Sequence, residues 1–171
     1  MSADPVAPPV TQPTGEITSA WSEGSTHVFT RLARTSLFLE SLQEECLAPL
    51  GISFGDYAVL RMLYYEGPDA TLSPTRLAEV LVRTTGGMTK IVDRLEAQGT
   101  VTREPDPNDR RGILIRLTPA GRDLCHRASD AYTVVRRRLL DHLSETEISS
   151  IDASLGRLLE VFEVDRANVE S

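Results

Sequence analysis

The 171-residue sequence predicts a mainly α protein with a small β-hairpin, arranged as a winged helix-turn-helix with long helices at both ends. Three observations carry this expectation. Two short helix patterns are separated by only a brief turn before Thr84, and a polar hairpin follows the second. Near both ends of the chain, apolar residues recur at three-, four- and seven-residue intervals, the spacing of one helix face. No internal repeat competes with this order.

Residues 1–15 are rich in Pro, Thr and Ala without apolar periodicity, and read as a flexible tail. From Glu16 to Leu47 the apolar set Val28, Leu32, Leu39, Leu42 and Cys46 marks an amphipathic helix, ended by Pro49 and Gly51. Ser53, with Asp56 at the third position, caps a helix that runs to Gly67-Pro68. Ser73 caps a short helix opened by Pro74, with Leu77, Val80 and Leu81 facing inward and an end near Val82. Thr84 or Thr85 caps the next, in which Met88, Ile91, Val92 and Leu95 share a face and Gly99 closes the element. Residues 100–104 and 113–117 alternate like strands around the polar loop DPNDRRG, a two-stranded wing. Thr118-Pro119 opens a long helix to Leu143. Ser144 and Glu147 form a capping box for a last helix whose seam is Ile148, Ile151, Leu155, Leu158 and Phe162.

Composition excludes several classes. No apolar run reaches the roughly 18 residues of a spanning helix and no signal peptide opens the chain, so a cytoplasmic location is expected. With only Cys46 and Cys125, no disulfide framework is implied. HExxH, GxSxG, CxxC and phosphate-loop motifs are missing, which speaks against an enzyme, and no cofactor is expected. The three histidines, His27, His126 and His142, are too dispersed to suggest a metal site. A formal charge of −7 argues at first against nucleic acid, yet residues 71–122 hold nine basic residues against six acidic ones. Such asymmetry suits one basic face on an otherwise acidic molecule.

The apolar face of the helix after Thr84 leaves Thr85, Gly86, Gly87, Thr89, Lys90, Asp93 and Arg94 outward. A helix start that meets base edges must approach closely, and Gly86-Gly87 removes side-chain bulk there, although each Gly costs a helix about 1 kcal/mol relative to Ala. At the hairpin tip Arg110 and Arg111 have the reach and charge for a minor groove or its phosphates, with Asp109 nearby to orient one of them. The expected double-stranded-DNA contacts are thus Thr84, Thr85, Gly86, Gly87, Thr89, Lys90, Arg94, Asp109, Arg110 and Arg111.

The stretch RLAEVLVRTTGGMTKIVDRLEAQGTVTREPDPNDRRGILIRLTPAG resembles the DNA-binding core of the MarR family of bacterial regulators. The wing pattern of an acidic residue, any residue, Arg, then strand and Leu-Thr-x-x-Gly is met by Asp109, Arg110, Arg111, Leu117, Thr118 and Gly121. The resemblance implies a homodimer whose first and last two helices interlock, with Arg111 in the minor groove, Asp109 as its partner, and Thr85, Thr89 and Lys90 in the major groove. It also implies a repressor that leaves a palindromic operator when a small effector, often an aromatic anion, binds. The expected division is a tail over 1–15, dimerisation helices over 16–50 and 119–166, and the binding lobe over 53–118.

For the effector, Trp21, His27, Arg31, Arg34, Tyr57 and Arg61 offer an aromatic wall with a cationic end. Rival readings of the same fold are a redox- or metal-responsive regulator and a winged-helix protein-interaction module. The family's redox branch uses a cysteine near the start of the first helix, where this chain has none. A nucleoid-associated protein without membrane contact is the resulting expectation.

Overall fold

A computed structural model describes residues 26–67 and 69–169. The first helix, α1, runs Thr26–Leu47, and the chain divides into two compact units between Ser41 and Leu42, inside this helix. In the first unit, Val28, Phe29, Leu37 and Phe38 are exposed. Residues 16–25, where the sequence places the helix start, and the 1–15 tail lie outside the described residues.

The second unit begins with the last turns of α1, where Gln43 and Leu47 are buried. Pro49 does not stop the chain outright: the backbone tightens into a 3-10 turn, Ala48–Leu50, and Gly51 closes it at a φ of 71°. Helix α2 (Phe54–Glu66) starts with the expected capping box, Ser53 and Asp56 each satisfying the other's backbone N–H. Helix α3 (Pro74–Val80) is capped by Ser73, and α4 (Thr85–Ala97) by Thr84, whose hydroxyl accepts the Gly87 N–H. Between them Val82 adopts a φ of 52°, a left-handed conformation that a β-branched residue rarely takes.

The expected hairpin is part of a three-stranded antiparallel sheet. Strands β2 (Val101–Pro105) and β3 (Ile113–Leu117) pair along their length, and β1 (Thr71–Leu72) adds to the other edge of β3, giving the order β1-β3-β2. Thr71 faces Arg116 and Leu72 faces Ile115. Two residues are too few to display alternation, so only the pairing reveals β1.

The core of this unit joins Leu47 of α1, Tyr57, Val59, Leu60 and Leu63 of α2, Leu77 of α3, and Met88, Val92 and Leu95 of α4. Val101, Ile115 and Leu117 close it from the sheet, and Leu124, Cys125 and Ala128 from α5 (Pro119–Leu140). Gly121 sets the junction, because a Cβ there would lie 2.0 Å from the Thr100 carbonyl oxygen. Thr118 locks it: its hydroxyl accepts the Gly121 N–H at 3.0 Å and donates to the Gly99 carbonyl at 2.8 Å. The Leu-Thr-x-x-Gly pattern is thus a packing device.

Helix α5 ends at Leu140 rather than Leu143, and α6 (Glu145–Val169) follows after the expected Ser144–Glu147 capping box. Only Ile148 and Leu158 of the seam are half-buried; Ile151 and Leu155 stand exposed, and so does Leu159. No single described helix is long and apolar enough to cross a membrane.

Candidate nucleic-acid interface

Helix α4 turns Met88, Val92 and Leu95 into the core, with Ile91 half-buried, and this fixes which residues face out. Thr84, Thr85, Gly86, Thr89 and Lys90 are exposed and Gly87 is half-buried. The two glycines are needed for different reasons. A Cβ on Gly87 would come within 3.1 Å of the Thr84 hydroxyl and crowd the cap, so Gly87 serves the helix. A Cβ on Gly86 would meet nothing within 4 Å, so nothing inside the protein calls for glycine there. The Thr89 hydroxyl donates to the Thr85 carbonyl at 3.0 Å, which orients it along the helix surface.

Several basic residues of the lobe are already engaged. Arg94, expected among the outward contacts, is turned to Asp56: its Nε donates to the carboxylate at 3.0 and 3.1 Å and its Nη2 at 2.6 Å. Asp56 is only 1% exposed and also accepts the Ser53 N–H and hydroxyl, each at 2.8 Å. The buried carboxylate is therefore both a member of the α2 capping box and the anchor of α4. Arg103 of β2 donates to Asp93 at 2.5 Å and pairs with Glu96. The hydrogen bond with Asp93 outweighs partial burial and, with Glu96, holds the Arg103 guanidinium more firmly protonated than usual. Arg116 of β3 donates to Glu104 at 2.7 Å and to the Asp69 carbonyl at 2.8 Å, tying the loop before β1 to the sheet. Arg76 pairs with Glu79 at 3.4 Å.

After these pairs, Arg83, Lys90, Arg110 and Arg111 are exposed and, among the described residues, in no ion pair. They lie at the turn before α4, on its outward face and at the wing tip. Arg83 was not assigned from the sequence, because nothing in the apolar pattern separates a turn cation from any other surface arginine.

The wing tip is built from its own backbone. Asp106 Oδ1 accepts the Asn108 N–H at 2.8 Å, and the Asp106 N–H donates to the Gly112 carbonyl at 3.0 Å. Asp109 was expected to orient an arginine side chain. It acts instead on the chain, accepting the Arg111 backbone N–H at 2.9 Å in an Asx-turn. Both neighbouring guanidinium groups are left facing solvent.

Of the candidate effector residues, Tyr57 and Arg61 come together. The Tyr57 ring is buried, and its hydroxyl lies 3.0 Å from the Ser129 hydroxyl. Arg61 donates to the hydroxyls of Tyr57 at 3.2 Å and Tyr65 at 3.4 Å, its guanidinium 5.2 Å from the Tyr65 ring centre. Phe54, Tyr57 and Tyr132 form a ring cluster with centres 6.0 to 6.2 Å apart. His27, Arg31 and Arg34 belong to the first unit, and Trp21 lies outside the described residues. Burial pushes both the Cys46 and the Cys125 thiol up, away from the reactive thiolate. Among the described residues no group of three or more His, Cys, Asp or Glu side chains is placed to hold a metal ion.

Comparison with known proteins gives a consistent likeness. A model described as MarR family matches residues 50–112. The multiple antibiotic resistance protein MarR of Escherichia coli is 31% identical over 121 residues, covering 70% of this chain and 82% of that protein. The HTH-type transcriptional regulator PecS of Dickeya dadantii is 29% identical over 127 residues, covering 74% of this chain and 76% of its own. Among solved structures, a mutant E. coli MarR complexed with operator DNA superposes with a TM-score of 0.68 at 27% identity, covering 80% of this chain and 99% of that one.

Proposed function

The chain belongs to the MarR family of transcriptional regulators, and on that premise we propose that it represses transcription by binding a palindromic DNA operator as a homodimer, until a small aromatic or anionic effector releases it. The observation that carries this reading is the outer surface of α4: a side-chain-free start at Gly86, with unpaired cations on the helix, before it and at the wing tip. Thr84, Thr85, Thr89 and Lys90 address the major groove and Gly86-Gly87 lets them come close; Arg110 and Arg111 address the minor groove and its phosphates. Asp109 shapes the tip that presents them. Arg94, also expected at the DNA, anchors α4 to Asp56 while 46% of its side chain stays exposed on the same surface.

Residues 53–118 form the binding lobe in this reading, and 16–50 with 119–166 the dimerisation helices. Support for the dimer comes from the apolar side chains of α6 that stay exposed, Ile151, Leu155 and Leu159, each 46% to 56% accessible. Complete burial of such a side chain is worth about 1.5–3 kcal/mol, roughly half of which is still to be gained here, so a second copy is the natural cover. For the effector, the Arg61 guanidinium flanked by two tyrosines is suited to an aromatic anion, with Trp21, His27, Arg31 and Arg34 as further candidates. The raised thiol pKa values favour this reading over oxidant sensing. In this reading the protein acts in the cytoplasm, at the nucleoid.

Binding to DNA from upstream of its own gene tests the proposal. At stated salt, Arg111→Ala weakens binding to all sequences, whereas Lys90→Ala weakens it and also relaxes sequence preference. A protein that ignores every genomic fragment at low ionic strength is no operator-binding repressor.

A further inference from the structure

We propose that Arg103 is a positioning residue for operator discrimination: from the root of the wing it grips Asp93 and Glu96 on the outward face of α4 and so fixes the angle between wing and recognition helix. This rests on the DNA-binding reading above and adds to it a residue that reads no base. Arg103 sits in the middle of β2, paired across the sheet with Ile115, whose side chain is fully buried. Its backbone is therefore held by the sheet while its side chain reaches the helix. One guanidinium arm goes to Glu96, which also accepts the Arg103 backbone N–H at 3.3 Å, and the other goes to Asp93. Asp93 and Glu96 are three residues apart, neighbours on one helix face, and a planar fork can engage both at once where an ammonium cannot.

The geometry around this clamp makes it a strut. Between α4 and β2 lie only Gln98, Gly99 and Thr100, and Gly99 takes a φ of 71°, so the direction of the wing is set at one sharp joint. Thr100 holds the near side of the joint, its N–H and hydroxyl both donating to the Leu95 carbonyl at 3.0 and 2.9 Å. Arg103 braces the far side. The clamp also has an electrostatic effect, because Asp93 and Glu96 lie just beyond Lys90 on the surface that meets a polyanion. Arg103 neutralises much of their repulsion. Its side chain is only 26% exposed and its fork is occupied, which sets it apart from Arg110 and Arg111.

Wild type, Arg103→Gln, Arg103→Lys, Asp93→Asn/Glu96→Gln and the triple variant are to be compared for affinity to operator and to unrelated DNA across a salt series, with a thermal melt of each. Arg103→Gln is expected to weaken binding to all DNA through the carboxylates it uncovers and, beyond that, to lower the operator-to-unrelated affinity ratio about tenfold. Arg103→Lys, which keeps the charge but not the fork, is expected to lose most of the same ratio. Adding Arg103→Gln to the Asp93→Asn/Glu96→Gln background should change the ratio less than about twofold, since the partners are already gone. Equal losses on all DNA with a salt slope reduced by about 1 would make Arg103 a phosphate contact and overturn the proposal. A lysine variant identical to wild type would also overturn it. Wild type that binds no DNA overturns the underlying reading as well, an outcome distinct from a binding wild type with indifferent Arg103 variants.

Discussion

Gly86 separates what the fold needs from what the proposed DNA contact needs. With no protein atom within 4 Å of the space a Cβ would fill, Gly86→Ala is expected to raise stability by about 0.5 kcal/mol through helix propensity while weakening operator binding. Thermal melts and DNA titration of the same preparation check both signs; a variant that binds as well as wild type removes close approach as the reason for the glycine. Val82 is the opposite case. It holds a left-handed conformation while 70% exposed, so strain is present without packing to compensate. Val82→Gly is expected to stabilise the protein by about 1 kcal/mol in chemical denaturation. At this scale the sequence was legible where chemistry is local: the caps at Ser53, Ser73, Thr84, Thr118 and Ser144 all engage as their spacing implied. It was not legible for Arg94, whose partner Asp56 is 38 residues away. No periodicity encodes that pairing.

At the scale of elements, α4 is held by ion pairs as well as by its apolar face, through Asp56 beneath and Arg103 beside it. The wing has its own fastening. A hydrogen bond from Arg116 holds the Glu104 carboxyl below its ordinary pKa, against a smaller opposing effect of desolvation. A carboxylate depressed in the folded state contributes stability above its unfolded pKa, and that contribution fades as pH falls through the folded value. Acid titration followed by NMR should therefore show the Glu104 carboxyl titrating below a free glutamate, with the β2–β3 pairing loosening in the same step as Arg116 loses its partner. A Glu104 that titrates normally contradicts this. The predicted hairpin became a three-stranded sheet because β1 is defined by its hydrogen bonds to Arg116 and Ile115, partners more than 40 residues distant in sequence. Helix types and order, by contrast, followed from spacing alone.

For the molecule as a whole, the net charge of −7 and the basic lobe together favour binding that is strongly salt-dependent. If a dimer neutralises about eight phosphates, the logarithm of its affinity falls with the logarithm of salt concentration with a slope of about −7. Sedimentation should find a dimer, and truncation after Leu143 should yield monomers that bind operator far more weakly. A full-length monomer at micromolar concentration, or a slope near −1, contradicts the assembly. Periodicity, capping residues and the Thr-Gly-Gly and Asp-x-Arg patterns determined by themselves the helical class, the winged order and the region proposed to meet DNA. These signals lie between residues within a turn or two of each other, or within one hairpin. Tertiary structure alone decided which cations remain unpaired, that Asp109 steers a backbone, and that Arg94 and Arg103 brace the helix. Those outcomes depend on which distant carboxylate a long arginine side chain reaches once the core has closed, and such distances exist only in the folded chain.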